Sequence, residues 1–263
     1  SSTDNNAVNL PANTVINNET IKGIDFAGTV ENESALSNLS NINPGLAYIN
    51  TSTNEVHLST GINEWLNLGL ARSSYKKKYG LHAKFRLKYQ EKNNFPLSIV
   101  GYSLITANTA LKDNVYPNIN FENRLSYTTQ LLISRKINDN LSLLLAPSFV
   151  HENLATRSFA EENGSTVFYD EENNQFALGF GGRYKLSKRI SLNIDYGLHL
   201  NRNENSVYNN PFSIGADIET GGHVFQLHFT NAQAMFEEGF ITQAQGDWLN
   251  GDFFFGFNLV RVF

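Results

Sequence analysis

The chain has 263 residues, no cysteine and a formal net charge of −5, with 41% hydrophobic residues. Absence of cysteine removes disulfides, thiolate metal centres and cysteine nucleophiles together. The mild, mixed charge excludes the basic face that a nucleic-acid binder needs. No apolar run approaches the roughly 18 residues of a spanning helix, so a membrane crossing would have to be made by alternating strands.

Residues 1 to 19 are polar and Asn-rich, with Pro11, and read as a periplasmic leader. The chain opens Ser1-Ser2-Thr3-Asp4 without a basic or apolar export region, so a signal peptide is expected to have been removed. Residues 20–263 are expected to form the barrel, with a first strand over 21–30 followed by a long loop through Ala35, Leu36, Leu39 and Pro44.

From Glu55 the period of two is persistent. The stretch 54–62 alternates Val56, Leu58, Thr60 and Ile62 against polar neighbours, and Asn63-Glu64 turns it into 65–73. Strand 79–90 sets Leu81, Ala83, Phe85, Leu87 and Tyr89 against His82, Lys84, Arg86 and Lys88. Further alternating runs occupy 95–106, 122–136, 141–150, 175–186, 190–200, 211–219 and 223–230, with 152–174 a polar, acidic excursion. The last, Phe253-Phe254-Phe255-Gly256-Phe257-Asn258-Leu259-Val260-Arg261-Val262-Phe263, is an aromatic closing strand. By itself it would suit a soluble sheet equally well.

Two regularities decide between the alternatives. The strands run about 9 to 13 residues, longer than the 5–6 usual in soluble sheets and close to a tilted membrane crossing. Short connections (63–64, 90–94, 137–140, 187–189, 220–222) alternate with long ones (107–120, 152–174, 201–210, 231–250). The predicted fold is therefore all-β: a transmembrane antiparallel up-and-down barrel of about twelve strands, with short periplasmic turns and long outer loops. Phe85, Leu87, Phe180, Ile194, Leu227 and Phe257 are expected to face lipid.

The opposite faces would line the lumen: His82, Lys84, Arg86, Lys88, Arg124, Arg183, Lys185, Asp195, His199, Asp217, Glu219, Gln226 and His228. Inward Gly61, Gly69, Gly179, Gly181, Gly197 and Gly215 would leave room beside them. Either these charges flank an aqueous path and select small solutes, or they pair and fill the barrel. Loop 231–250 carries Met235, Phe236, Phe240 and Trp248. Being too apolar for a free tip, it should constrict the barrel mouth or contact a partner protein.

Several segments, Leu125-Ser126-Tyr127-Thr128-Thr129-Gln130-Leu131, Gly181-Gly182-Arg183-Tyr184-Lys185-Leu186, Gly215 to Asn231 and Gly246-Asp247-Trp248 to Phe263, resemble a Bacteroidota family of outer-membrane β-barrels of unknown function. The similarity spans roughly 54–263 and is specific over 211–263. It implies the barrel fold and a bacterial outer-membrane location, and no particular activity. Where the family pattern has Val-Ile-Asn-Gly-His, this chain has Val15-Ile16-Asn17-Asn18-Glu19, so no role for that histidine carries over.

A narrow channel for small polar solutes is the leading expectation, with a non-conducting scaffold subunit of a multi-protein outer-membrane complex as the alternative. His57, His82, His151, His199, His223 and His228 lack a G-x-S-x-G elbow, so no enzyme is expected. Acidic groups at 161–162 and 170–172 read as a solvated loop, not a metal site. No cofactor is called for; the expected partners are outer-membrane lipid and other outer-membrane or surface proteins, without nucleic acid.

Overall fold

A computed structural model describes residues 46–50, 55–91, 93–112, 118–162 and 165–262. Strands β1 (Leu46–Asn50), β2 (Glu55–Asn63), β3 (Leu66–Ser73), β4 (Lys78–Lys88), β5 (Ser98–Asn108), β6 (Leu125–Lys136) and β7 (Leu141–Glu152) follow one another around one sheet. A separate hairpin, β8 (Arg157–Glu162) and β9 (Ser165–Asp170), interrupts them before β10 (Asn174–Lys185), β11 (Ile190–His199), β12 (Phe212–Glu219), β13 (His223–Thr230) and β14 (Phe254–Val262). β14 pairs with β1, closing an antiparallel barrel of twelve strands among the described residues.

Alternation explains why these residues close. Leu58, Leu70, Leu81, Phe180, Ile194 and Phe229 project outward and are exposed, while their neighbours Ser59, His82, Asp195 and His228 point inward and are buried. A soluble protein would hide that apolar band; a barrel in a bilayer presents it to lipid. Closure also removes the unpaired edges an open sheet would leave. Phe85, Leu87 and Leu227 share the exposed face, whereas Phe257 is half-buried, its ring 6.0 Å from Phe225.

The short turns are built by side chains that replace backbone partners. Asn63 Oδ1 accepts from the amides of Trp65 (3.0 Å) and Leu66 (2.9 Å), and Asn138 Oδ1 from those of Asn140 (2.9 Å) and Leu141 (2.8 Å). Ser187 Oγ does the same for Arg189 and Ile190, and Gly221 takes a positive φ of 80° between β12 and β13.

Three differences from the sequence reading follow. The place beside β14 is taken by β1; the strand expected over 21–30, the leader over 1–19 and the terminal Phe263 lie outside the described residues. Leu46-Ala47-Tyr48-Ile49-Asn50 does not alternate apolar with polar residues, so no period of two marks it in the sequence. The excursion at 152–174 contains the hairpin β8–β9, whose Arg157 and Asp170 form a two-point ion pair (2.5 and 2.8 Å). Strand β6 starts at Leu125, because Glu122–Arg124 form a 3-10 turn.

Candidate functional site: the barrel interior and its inserted loop

The connection between β13 and β14 enters the barrel. Asn231 clamps both its ends: its Oδ1 accepts from the Phe212 amide (2.8 Å), its Nδ2 donates to the carbonyls of Asn210 (2.9 Å) and Gly246 (3.1 Å), and its carbonyl accepts from the Gly246 amide (2.8 Å). A Cβ on Gly246 would stand 2.1 Å from the Asp252 carbonyl oxygen, so the chain re-crosses its own path only with glycine there.

Beyond that clamp lies one short helix, α1 (Glu237–Thr242), with all six residues buried. Met235 (1% exposed), Phe236 (3%) and Phe240 (0%) are interior residues. Trp248, in contrast, is half-buried at the rim: its Nε1 donates to the Phe212 carbonyl (3.0 Å) and its ring stacks on Phe253 (5.1 Å). It anchors the loop where it leaves the barrel.

The helix is fastened to the wall through its first-turn carboxylates, which favour that end of a helix. Lys78 Nζ donates to Glu238 Oε1 (2.7 Å), Thr106 Oγ1 donates to the same oxygen, and Tyr102 Oη donates to Glu237 Oε1. Lys78 also sits 4.2 Å from the Phe236 ring centroid. On the far side Gln243 Nε2 donates to Glu152 Oε1 (3.1 Å), and Lys76 Nζ donates to Gln243 Oε1 (2.6 Å). Arg202 holds the Thr242 carbonyl (3.0 Å). Burial, helped by the Lys78 ammonium, lowers the Lys76 pKa to about 8; burial also lowers that of Arg202 to about 10.

These fastening residues were missed in the sequence. Lys78, Tyr102, Thr106 and Glu152 sit on β4, β5 and β7, and Glu237-Glu238 is an ordinary acidic pair until the fold brings it to them. The available signal was a pair of carboxylates set between Met235-Phe236 and Phe240-Ile241.

The inner wall is polar. His82, Lys84, Arg183, Asp195, His199, Asp217, Gln226 and His228 are buried there, and Glu219 is half-buried. Arg183 binds Asp217 (3.5 Å) and Glu219 (3.4 Å), so part of the acidic wall is neutralised by a cation on the same wall and not from across the lumen. Lys84 Nζ lies 5.3 Å from the Tyr102 ring centroid, and Gln226 Oε1 accepts from Asn258 Nδ2 (3.1 Å).

Four of the residues assigned to the lumen sit elsewhere or at its ends. Lys88 is exposed on the outside, because a bulge puts it across from Ile99 after Arg86 has paired with Val100. Arg86 is half-buried at the short-turn end, where NH1 donates to the Glu64 carbonyl. Arg124 belongs to the 3-10 turn at the long-loop rim and donates to the Asn108 and Leu111 carbonyls. Lys185 is half-buried beside the turn that ends at Asn140.

The inward glycines do less to open the lumen than their size suggests. Gly69 and Gly256 are the pairing partners of His82 and His228, whose rings lie over them. Among the described residues no cluster of three or more His, Asp or Glu side chains forms a metal site.

No curated protein sequence matches the chain. Among solved structures, a NanC porin is 8% identical, with 82% of this chain and 97% of that chain covered and a TM-score of 0.48. A KdgM porin is 9% identical over 84% and 99% of the two chains, also at 0.48. The outer membrane channel DcaP of Acinetobacter baumannii is 14% identical over 80% and 62%, at 0.37. The closed sheet with its outward apolar band makes this a porin-like barrel of the bacterial outer membrane. A family model described as "Membrane bound beta barrel domain (DUF5777)" matches residues 37–263, and the chain belongs to that family.

Proposed function

We propose that the barrel is a narrow channel for small polar solutes, restricted at its outer end by the inserted segment 231–250. The observation that carries this reading is the state of the inner wall. Among the described residues neither ring nitrogen of His82, His199 or His228 meets a hydrogen-bonding partner, nor do Thr128 Oγ1 and Gln130 Oε1. Inward polar atoms without protein partners call for a polar companion such as water or solute, and a polar inner wall suits polar cargo. A buried ion pair and a ring of hydrogen bonds fasten α1 in that path, which supports restriction and not free diffusion. The proposal includes a Bacteroidota source, on the strength of the sequence resemblance.

A second reading, a scaffold subunit with protein partners, draws on exposed apolar side chains in the long loops and their hairpin. Leu249 is 96% exposed, Phe121 67% and Phe168 62%. Conductance of the purified protein in planar bilayers separates the two, using wild type and a variant with residues 233–246 replaced by a Gly/Ser linker. Discrete steps in wild type, enlarged in the variant, support the restricted channel. Silence in both, with proteins that co-purify from native membranes, overturns it in favour of the scaffold.

A further inference from the structure

Two imidazoles meet on the inner wall although their strands are not paired. Gly69 of β3 has no side chain on its inward face, so the His82 ring of β4 lies across it, with Cε1 and Nε2 over Gly69 and the Ser59 Cβ of β2 bordering the same space. His82 thereby reaches past β3 toward β2, where His57 is also buried on the inner face. The two ring centroids are 6.0 Å apart, with the planes tilted by 33°.

The chemistry of each ring suits a shared ligand that accepts lone pairs. His57 Nε2 donates to Glu55 Oε1. An ionised carboxylate only accepts, so Glu55 holds the proton on Nε2 and leaves the lone pair on Nδ1. His82 is 1% exposed, and neither of its ring nitrogens meets a hydrogen-bonding partner. With metal–nitrogen bonds of about 2.0–2.1 Å, two imidazoles on one ion have centroids about 5–6 Å apart, and 6.0 Å falls at the upper end of that span. Imidazole ligands select borderline transition metals over the hard cations, which take oxygen.

We propose that His57 and His82 form a site on the lumen wall for a borderline divalent transition-metal ion such as Cu2+, Ni2+ or Zn2+. Glu55 orients His57 from behind and supplies negative charge beside the ion. No third His, Asp or Glu completes the shell among the described residues, so the other positions fall to water and the bound ion stays exchangeable. The site adjoins an anchor of α1: the Tyr102 ring is 5.9 Å from His82, and its hydroxyl donates to Glu237 Oε1. Binding belongs to the wall and does not depend on whether the barrel conducts.

The test is titration of the purified full chain, without an affinity tag, in detergent with Cu2+, the tightest binder of the three at a nitrogen site, followed by electron paramagnetic resonance. One ion per chain with a two-nitrogen pattern is expected, and excess Mg2+ should not displace it. His82→Gln should remove one nitrogen from the pattern, and Glu55→Gln should weaken binding by about 10–100-fold. His151→Gln and His223→Gln, away from the pair, should leave both readings unchanged. No stoichiometric binding, or a two-nitrogen pattern that survives His82→Gln in a variant keeping the folded barrel's gel mobility, overturns the proposal. Neither result bears on conductance, so the channel reading stands or falls separately.

Discussion

The imidazole of His82 lies over Gly69 on the neighbouring strand, so close that a Cβ on residue 69 would stand 2.3 Å from both Cε1 and Nε2. His228 repeats the arrangement over Gly256, with a Cβ placed 2.1 Å from Nε2. Each is a directly opposed cross-strand pair, in which a missing side chain on one strand makes room for a ring from the next. Gly256→Ala should cost about 1–2 kcal/mol and push His228 toward the lumen, since all the close contacts of that Cβ are to the His228 ring, which can rotate but loses its seat. Thermal melting should show the loss, and adding His228→Ala should recover most of it. Additive destabilisation in the double variant would contradict this pairing.

The buried pair Lys78–Glu238 predicts an asymmetry. Lys78→Met leaves Glu238 at 0% exposure without its cation, and should destabilise by about 3–5 kcal/mol or release α1 from its seat. Lys78→Met with Glu238→Leu should be far milder, because neither half of the pair is left as an unpartnered charge. Limited proteolysis within 233–246 reads the release of the loop separately from global melting.

Arg183 supplies a similar test away from the loop. With Asp217→Asn and Glu219→Gln together, a guanidinium 5% exposed loses both carboxylates, and the barrel should melt earlier by a few kcal/mol. If melting is retained and only ion selectivity changes, the wall charges act on solute and not on stability.

Lys76 lies in the 3-10 turn Tyr75–Lys77, beyond the strands, and gives a pH dependence. Its folded pKa, about 8, is below the ordinary 10.5 because burial, and next the Lys78 ammonium, oppose its charge. Below pH 8 both folded and unfolded chains carry the proton, and this group adds no slope. Between pH 8 and 10.5 the unfolded chain binds more protons, so stability should rise with pH, on the order of 2 kcal/mol and less where water reaches the half-buried amine. Arg202, lowered to about 10, and Tyr208, raised to about 12 by burial, contribute only from about pH 10 upward. Melting from pH 8 to 10 should therefore show the effect, and Lys76→Met should flatten it.

The outward face should be as intolerant of charge as lipid requires. Phe180→Arg or Ile194→Lys should cost about 2–4 kcal/mol near mid-strand, whereas Ser126→Ala on the inner face should cost little. Equal tolerance at both faces, measured by folding into vesicles, would contradict the assignment of faces.

How much of this could be read from the chain follows from the range of each interaction. The long strands were legible because Leu81, Phe85, Ile194 and Leu198 repeat every second residue, a local signal. The bulge at Leu87 was not: Arg86 and Lys88 continue the alternation in sequence, and only the partner strand reveals that one residue is extra. β1 escaped because Leu46, Ala47, Tyr48 and Ile49 run without apolar–polar alternation. The interior was half legible, since periodicity identifies which side chains point inward but not what they meet. Lys78 finds Glu238 across 160 positions, and Gly69 owes its use to a ring on another strand.

The seam between β1 and β14 makes the barrel's assembly strongly non-local. Leu46 pairs with Val262 and Asn50 with Asn258. The last strand made must find the first, so the circle closes only after nearly the whole sheet exists, and that long loop closure slows folding.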